Sequence, residues 1–338
     1  MKRRLLEYLA CRPCGRPFAL RVEREEDEEI IEGALSCPAC DGNFPIVRGI
    51  PRFLSLDLSA EKRATAAAFG YEWTHYAELT EQYRAEFLDW IHPLQPEAFR
   101  DRVVLDAGCG KGRHAWLSAR FGARDVVGID LSDAVEAAYE NTRQLPNVHI
   151  LQADIYHLPM LAPFDLFYSI GVLHHLPDPK QGFLSLVGHL RPGGRAVIWV
   201  YGKEGNWWIE KIVNPVRIHF TSRAPKAVTR ALSFALSLPL YVALKLVYAP
   251  ARNRPRLKKL LFYSDYLCAI SNYSFAENFW NVFDHLVAPT AFYHSRAEIE
   301  DWFATAGLSE VTITQRTNNS WRGTGIKPAA TGPSPNTR

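Results

Sequence analysis

Val103-Val-Leu-Asp-Ala-Gly-Cys-Gly-Lys-Gly112 is the stretch on which the fold class turns. Val103–Ala107 reads as a short buried strand, and the helical pattern Arg113–Phe121 follows it. Between the two, Gly108, Gly110 and Gly112 alternate with other residues. Glycines at such a junction allow a tight turn and let the backbone approach a ligand closely. A dinucleotide site is the rival reading, but its fingerprint is GxGxxG, and Arg113 stands where the third glycine belongs. Asp106, at the strand end, also suits a ligand with a cationic amino group better than a pyrophosphate. The loop therefore favours a sulfonium amino-acid cofactor.

Outward from this loop, strands and helices alternate. Asp125–Ile129, Val148–Gln152, Phe164–Ser169 and Arg195–Tyr201 read as further strands, the last after a turn at Pro192-Gly-Gly194. Ala134–Arg143 reads as a helix. This order implies an α/β fold with a parallel sheet. In Val126-Val-Gly-Ile-Asp130-Leu-Ser, an acid at the tip of the second strand can accept hydrogen bonds from both hydroxyls of a ribose. Ser132 is the better-placed cap for the helix that follows. Residues 202–290 break the alternation with a helical, apolar and basic insertion. The pattern resumes with a helix at Arg296–Ala306 and strands at Glu310–Arg316 and Ser320–Ile326.

Five segments, in order, resemble the class I S-adenosylmethionine-dependent methyltransferases of the ubiquinone/menaquinone-biosynthesis type. They are Leu105-Asp-Ala-Gly-Cys-Gly-Lys-Gly-Arg, Gly128-Ile-Asp-Leu-Ser, Gln152-Ala-Asp-Ile, Phe164 to Asp178 with its Leu-His-His-Leu-Pro, and Leu190-Arg-Pro-Gly-Gly. The resemblance covers residues 101–201 and implies a Rossmann-like sheet. It also implies that Asp106, Gly108, Gly110 and Gly112 lie against the methionine part of S-adenosylmethionine. Asp130 and Leu131 would meet the ribose, and Asp154 and the Ile155 amide the adenine. Ser169–Gly171 would line the methionine end. An Asn/Asp-Pro-Pro-aromatic motif for planar amines is absent, which counts against methylation of a base's exocyclic nitrogen or a glutamine amide.

The N-terminus carries a second signal. Cys11-Arg-Pro-Cys14 and Cys37-Pro-Ala-Cys40 have the spacing of a structural zinc site, in which four thiolates leave no open position. A ribbon this small depends on its metal to fold. The acidic stretch Glu23–Glu32 between the pairs reads as a solvated hairpin or loop. The cysteine pairs and Phe44-Pro-Ile-Val-Arg-Gly-Ile-Pro resemble the small zinc-ribbon activator subunit of tRNA, rRNA and release-factor methyltransferases. Here the ribbon is fused to the enzyme and is expected to support it in cis. The expected organisation is a ribbon at 1–57, a helical cover at 58–100, the cofactor-binding core at 101–201, the insertion as a lid at 202–290, completion of the sheet at 291–326, and a disordered tail at 327–338.

Composition is that of an ordinary globular chain: 338 residues, 47% hydrophobic, 22% charged, net charge +3. The charge is unevenly spread. Lys203 to Lys259 holds twelve basic residues against Glu204 and Glu210, a local +10, which points to an anionic membrane surface or RNA. Within it the apolar run Ala231–Ala249 contains Pro239 and Lys245, so it reads as buried or interfacial rather than spanning. The basic start Met1–Arg4 is followed by a short apolar run broken by Glu7, so no secretory signal is read. The expected location is cytoplasmic, peripheral to the membrane.

His174 and His175 follow the fourth strand, where acceptor meets donor. Either could act as general base, although alignment of the reactants alone can carry such reactions. Tyr71 and Trp73 are the expected cover over the cofactor. The leading expectation is O- or C-methylation of a small apolar or glycosylated metabolite. The alternatives are an RNA methyltransferase, such as one esterifying a carboxymethylated wobble uridine, and a non-catalytic cofactor-binding activator.

Overall fold

The computed structural model describes residues 1–54, 57–79, 83–160 and 164–329. The tail expected to be disordered lies outside the described residues from 330 onward. Lys327, at its start, is anchored: its Nζ donates to the carbonyls of Val187, Gly188 and Leu190.

The core strands are β5 (Val103–Ala107), β6 (Asp125–Asp130), β7 (Val148–Ala153), β8 (Phe164–Ile170) and β9 (Leu190–Tyr201). All are parallel, in the order β7-β6-β5-β8-β9. Every residue of β5, β7 and β8 is buried, as expected of strands covered on both faces. From β5 the chain builds first towards β6 and β7, then crosses back to β8. This reversal opens a crevice at the carboxyl ends of β5 and β8, the usual ligand position in such sheets. The Pro192-Gly-Gly194 turn expected before the last parallel strand is instead drawn into β9. The ladder shifts register there, and Gly193 takes φ 78°. A C-terminal hairpin, β10 (Ser309–Arg316) and β11 (Ser320–Ile326), adds β11 antiparallel to β9.

The N-terminal ribbon extends the same sheet. Its strands β1 (Ala19–Glu26) and β2 (Glu29–Ser36) form the expected hairpin, followed by β3 (Asn43–Val47) and β4 (Ile50–Phe53). β4 then pairs parallel with β7, Arg52 opposite Gln152 and Phe53 opposite Ala153. Buried Asp125 ties the two parts together. It accepts from Arg4 at 2.6 Å and Tyr8 at 2.6 Å, and lies 3.2 Å from His149.

Helices α1 (Ala60–His75) and α2 (Tyr83–Trp90) precede the core, and α3 (Arg113–Arg120), α4 (Ala134–Thr142) and α5 (Pro179–Gly188) lie within it. Asp178 caps α5 by accepting from the Gln181 amide, with Pro179 in the first helical position. The insertion contains α6 (Lys226–Ala251, with a π turn at Leu244–Tyr248), α7 (Ser264–Ile270) and α8 (Phe275–Val287). Ser274 and Glu277 form a capping box at the start of α8. Ser295 and Glu298 do the same for α9 (Arg296–Thr305), so both starts are written locally in the sequence.

Candidate active site

A cavity of about 270 Å³ opens from the carboxyl ends of β5, β6 and β8. Gly108 and Gly110 form its floor at φ 89° and 52°, a region that favours glycine. A Cβ on Gly108 would sit 2.3 Å from Val172 Cγ2, and one on Gly110 would sit 3.3 Å from Trp73 Nε1. Asp130 is at the cavity edge. One carboxylate oxygen accepts from the Gly110 amide at 2.9 Å, and the other from the Ser132 amide and hydroxyl. Burial raises its carboxyl, opposed by these hydrogen bonds. Ser132 Oγ accepts from the Ala134 amide, so it also serves the start of α4.

Leu131, Asp154 and Ile155 line the same side. Asp154 caps the turn Ile155–His157 through the Tyr156 amide, and Lys62 of α1 pairs with it at 2.6 Å. The cover helix is thus pinned to the acid expected to meet adenine. From α1, Phe69 and Trp73 face the cavity. Tyr71, the other expected cover residue, does not; it stacks on His75 and packs towards Phe283.

Four of the expected site residues sit elsewhere. Asp106 is buried behind the glycine loop and does not line the cavity. Burial pushes its carboxyl up to about 8, with the Tyr168 hydroxyl beside it. Gly112 also lies behind the loop, where a Cβ would come within 3.0 Å of Ala138 Cα; it allows helix packing rather than ligand approach. Ser169 is fully buried and donates to the Ala107 carbonyl, bracing β5 against β8, while Ile170 and Gly171 reach the cavity. His174 is buried with neither ring nitrogen hydrogen-bonded, stacked 3.9 Å from Tyr201, and does not reach the cavity. His175 does line it. Its Nδ1 lies 2.6 Å from the Thr290 carbonyl, and burial lowers the ring to about 3. A histidine so far below its ordinary value is neutral and a weak base.

The outer half of the cavity uses residues that motif reading missed. Glu72 of α1 and Asp284 of α8 both line it, and each has a buried carboxylate oxygen without a hydrogen-bond partner. Burial raises Asp284 to about 6, opposed by the Arg217 guanidinium and by the Tyr201 hydroxyl, which donates to it at 3.3 Å. Burial and the neighbouring Asp284 raise Glu72 well above the usual carboxylate range. Tyr201, Tyr263, Tyr266, Tyr273, Trp280 and Tyr293 surround these acids. The only sequence signal was indirect: an acid in the middle of the otherwise amphipathic pattern of α8.

In the ribbon, the sulfurs of Cys11, Cys14, Cys37 and Cys40 all lie within 4.8 Å of one another. Four sulfurs at about 2.3 Å around a tetrahedral metal are close to this spacing, so the set fits structural zinc. The Ala39 amide donates to Cys37 Sγ, which favours its thiolate form.

Residues 105–198 match the family model of a methyltransferase domain. The chain is 36% identical over 146 residues to a tRNA U34 carboxymethyltransferase of Cellvibrio japonicus (strain Ueda107), covering 40% of this chain and 45% of that protein. It is 41% identical over 112 residues to one of Shewanella sp. (strain ANA-3), covering 32% of each chain. The chain therefore spans less than half the length of the curated relatives it matches. Among solved structures, a magnesium protoporphyrin IX methyltransferase from Synechocystis PCC 6803 with bound SAM aligns with TM-score 0.44 at 14% identity. That alignment covers 81% of this chain and 100% of the other.

Proposed function

We propose that the chain is a methyltransferase that takes S-adenosylmethionine in the inner half of the cavity and a small acceptor in the outer half. The observation that carries this reading is the continuity of one cavity from Gly108 and Asp130 to Tyr201 and Asp284, roofed by the insertion. Asp130 is suited to a ribose, Asp154 and the Ile155 amide to an adenine, and the Gly108–Gly110 backbone to an amino-acid moiety. When bound, the cofactor supplies an electrophilic methyl group on its sulfonium. The protein's part is to align an acceptor oxygen or carbon with that methyl and to exclude water. Asp284 is the better candidate base, because its carboxylate is available near neutral pH and has an unpartnered oxygen in the cavity wall. The dense aromatic lining suits a largely apolar acceptor.

The names of the relatives favour a second reading, in which the acceptor is a tRNA wobble uridine. Those names describe carboxymethyl transfer, whereas the sequence alone suggested esterification. The two readings separate in one experiment. The protein and methyl-labelled donor are incubated with cell extract, and lipid, polar-metabolite, RNA and protein fractions are counted. Label in the lipid or metabolite fraction supports the small acceptor. Label confined to RNA replaces it with an RNA acceptor, and donor binding without any labelled product removes methyl transfer to either acceptor, leaving carboxymethyl transfer to be read with a carboxymethyl-labelled donor.

A further inference from the structure

Helix α6 is amphipathic in the opposite sense to a helix on a water-exposed surface. Thr229, Ser233 and Ser237, spaced four residues apart, face inward and are buried. Thr229 donates to the Thr221 carbonyl and Ser233 to the Thr229 carbonyl. The outward residues are apolar: Val228, Leu232, Leu236, Val242 and Leu246, the last 73% exposed. In the sequence this run reads as a buried or interfacial part of a lid. Its outward apolar residues turn away from the cavity, whose wall is built instead by the aromatic side chains of 263–280.

Two neighbouring segments continue this surface. Ile212, Val216 and Phe220 are exposed, as are Leu260 and Phe262. Trp208 packs against Phe262 at 5.5 Å, and the Tyr248 hydroxyl donates to the Phe262 carbonyl at 3.0 Å, so the segments adjoin. A soluble monomer rarely exposes so continuous an apolar face. The charge is arranged around it. Arg217 is buried, Lys245 turns inward to the Ser271 and Tyr273 carbonyls, and Lys203 and Lys258 pair with Glu298 and Asp265. Apart from Lys211, what remains flanks α6 at both ends: Arg223, Lys226 and Arg230 at one, Arg252, Arg254, Arg256 and Lys259 at the other, with no acidic partner among the described residues.

We propose that this face docks on the surface of an anionic phospholipid bilayer, with α6 lying in the membrane plane. Apolar side chains on one face and cations at both ends match the acyl boundary and the anionic headgroups together. An RNA backbone would use the cations and leave the apolar face exposed to water. A second copy of the chain would bring like charges together at one end or the other. At 26 residues, α6 is long and apolar enough to cross a membrane. Its small polar stripe, however, is packed into the domain, where Phe234 and Tyr241 contact Phe275 of α8. The proposal does not depend on which acceptor is methylated.

The test is sedimentation of the full chain with large vesicles, of phosphatidylcholine alone or with about 30 mol% phosphatidylglycerol. Binding should require the anionic lipid and weaken as salt rises. Leu236→Glu with Leu246→Glu, both on the outward face, should lower binding at least about tenfold while circular dichroism and donor affinity stay unchanged. Arg252→Glu with Arg254→Glu should remove the preference for anionic lipid. The proposal is overturned by a folded chain that ignores anionic vesicles, or by binding indifferent to the leucine changes. It is equally overturned if the same substitutions split a stable dimer or release tRNA while vesicles never bind.

Discussion

Replacing Asp284 by asparagine keeps the side chain's shape and removes its capacity to accept a proton. The carboxyl is held at about 6, raised by burial against the pull of the Arg217 guanidinium. If it is the base, the active fraction rises from about a tenth at pH 5 to nearly all at pH 8, a roughly tenfold increase in kcat. His175, lowered to about 3, would be unprotonated across that whole range and would give a flat profile. The two candidates therefore differ in the shape of the curve as well as in rate. Asp284→Asn should lower kcat by about 10²–10⁴ and flatten the profile, with little change in donor affinity. The assay is single-turnover transfer of labelled methyl between pH 5 and 8, using whichever extract fraction accepts label. A wild-type profile that is flat, together with an Asp284→Asn variant of near-normal rate, would refute the assignment and leave alignment as the sole catalytic device.

Three further outcomes follow from the geometry. Asp130→Ala should weaken S-adenosylmethionine binding by about 1.5–3 kcal/mol in calorimetry, the worth of hydrogen bonds to a charged group; unchanged affinity would remove Asp130 from the ribose site. Metal analysis should find one zinc per chain, and Cys37→Ser should loosen more than the ribbon, because β4 is paired to β7. Amide exchange confined to residues 1–47 in that variant would argue against the coupling. For Asp106, the folded pKa of about 8 exceeds the ordinary 3.8, so the folded state holds a proton that the unfolded state releases between those values. Its contribution to stability therefore falls as pH rises through that window and levels off above about 8. Asp106→Asn should raise the melting temperature more at pH 8 than at pH 5, and equal shifts at the two pH values would show that Asp106 is not the source.

The sequence by itself determined the features that depend on local chemistry. Gly108 and Gly110 mark a turn that few other residues can form, and the alternating apolar runs fix a parallel sheet because each strand is buried on both faces. Two CxxC pairs specify four thiols converging on one point. The capped helix starts at Asp178, Ser274 and Ser295 are equally local. What the sequence could not decide is which way a side chain faces once elements pack. Asp106 and Asp130 both end strands, yet only Asp130 reaches the cavity, because the glycine loop folds over Asp106. His174 and His175 keep their rings 4.3 Å apart, yet only His175 meets the cavity, because Tyr201 stacks on His174. Glu72 and Asp284 are 212 positions apart, and only the closure of α8 over α1 makes them neighbours. Helix α6 shows the difference most sharply. Its composition announces an apolar segment, but the face it turns to the domain was decided by long-range packing, which placed Thr229, Ser233 and Ser237 inward and Leu232, Leu236 and Leu246 outward.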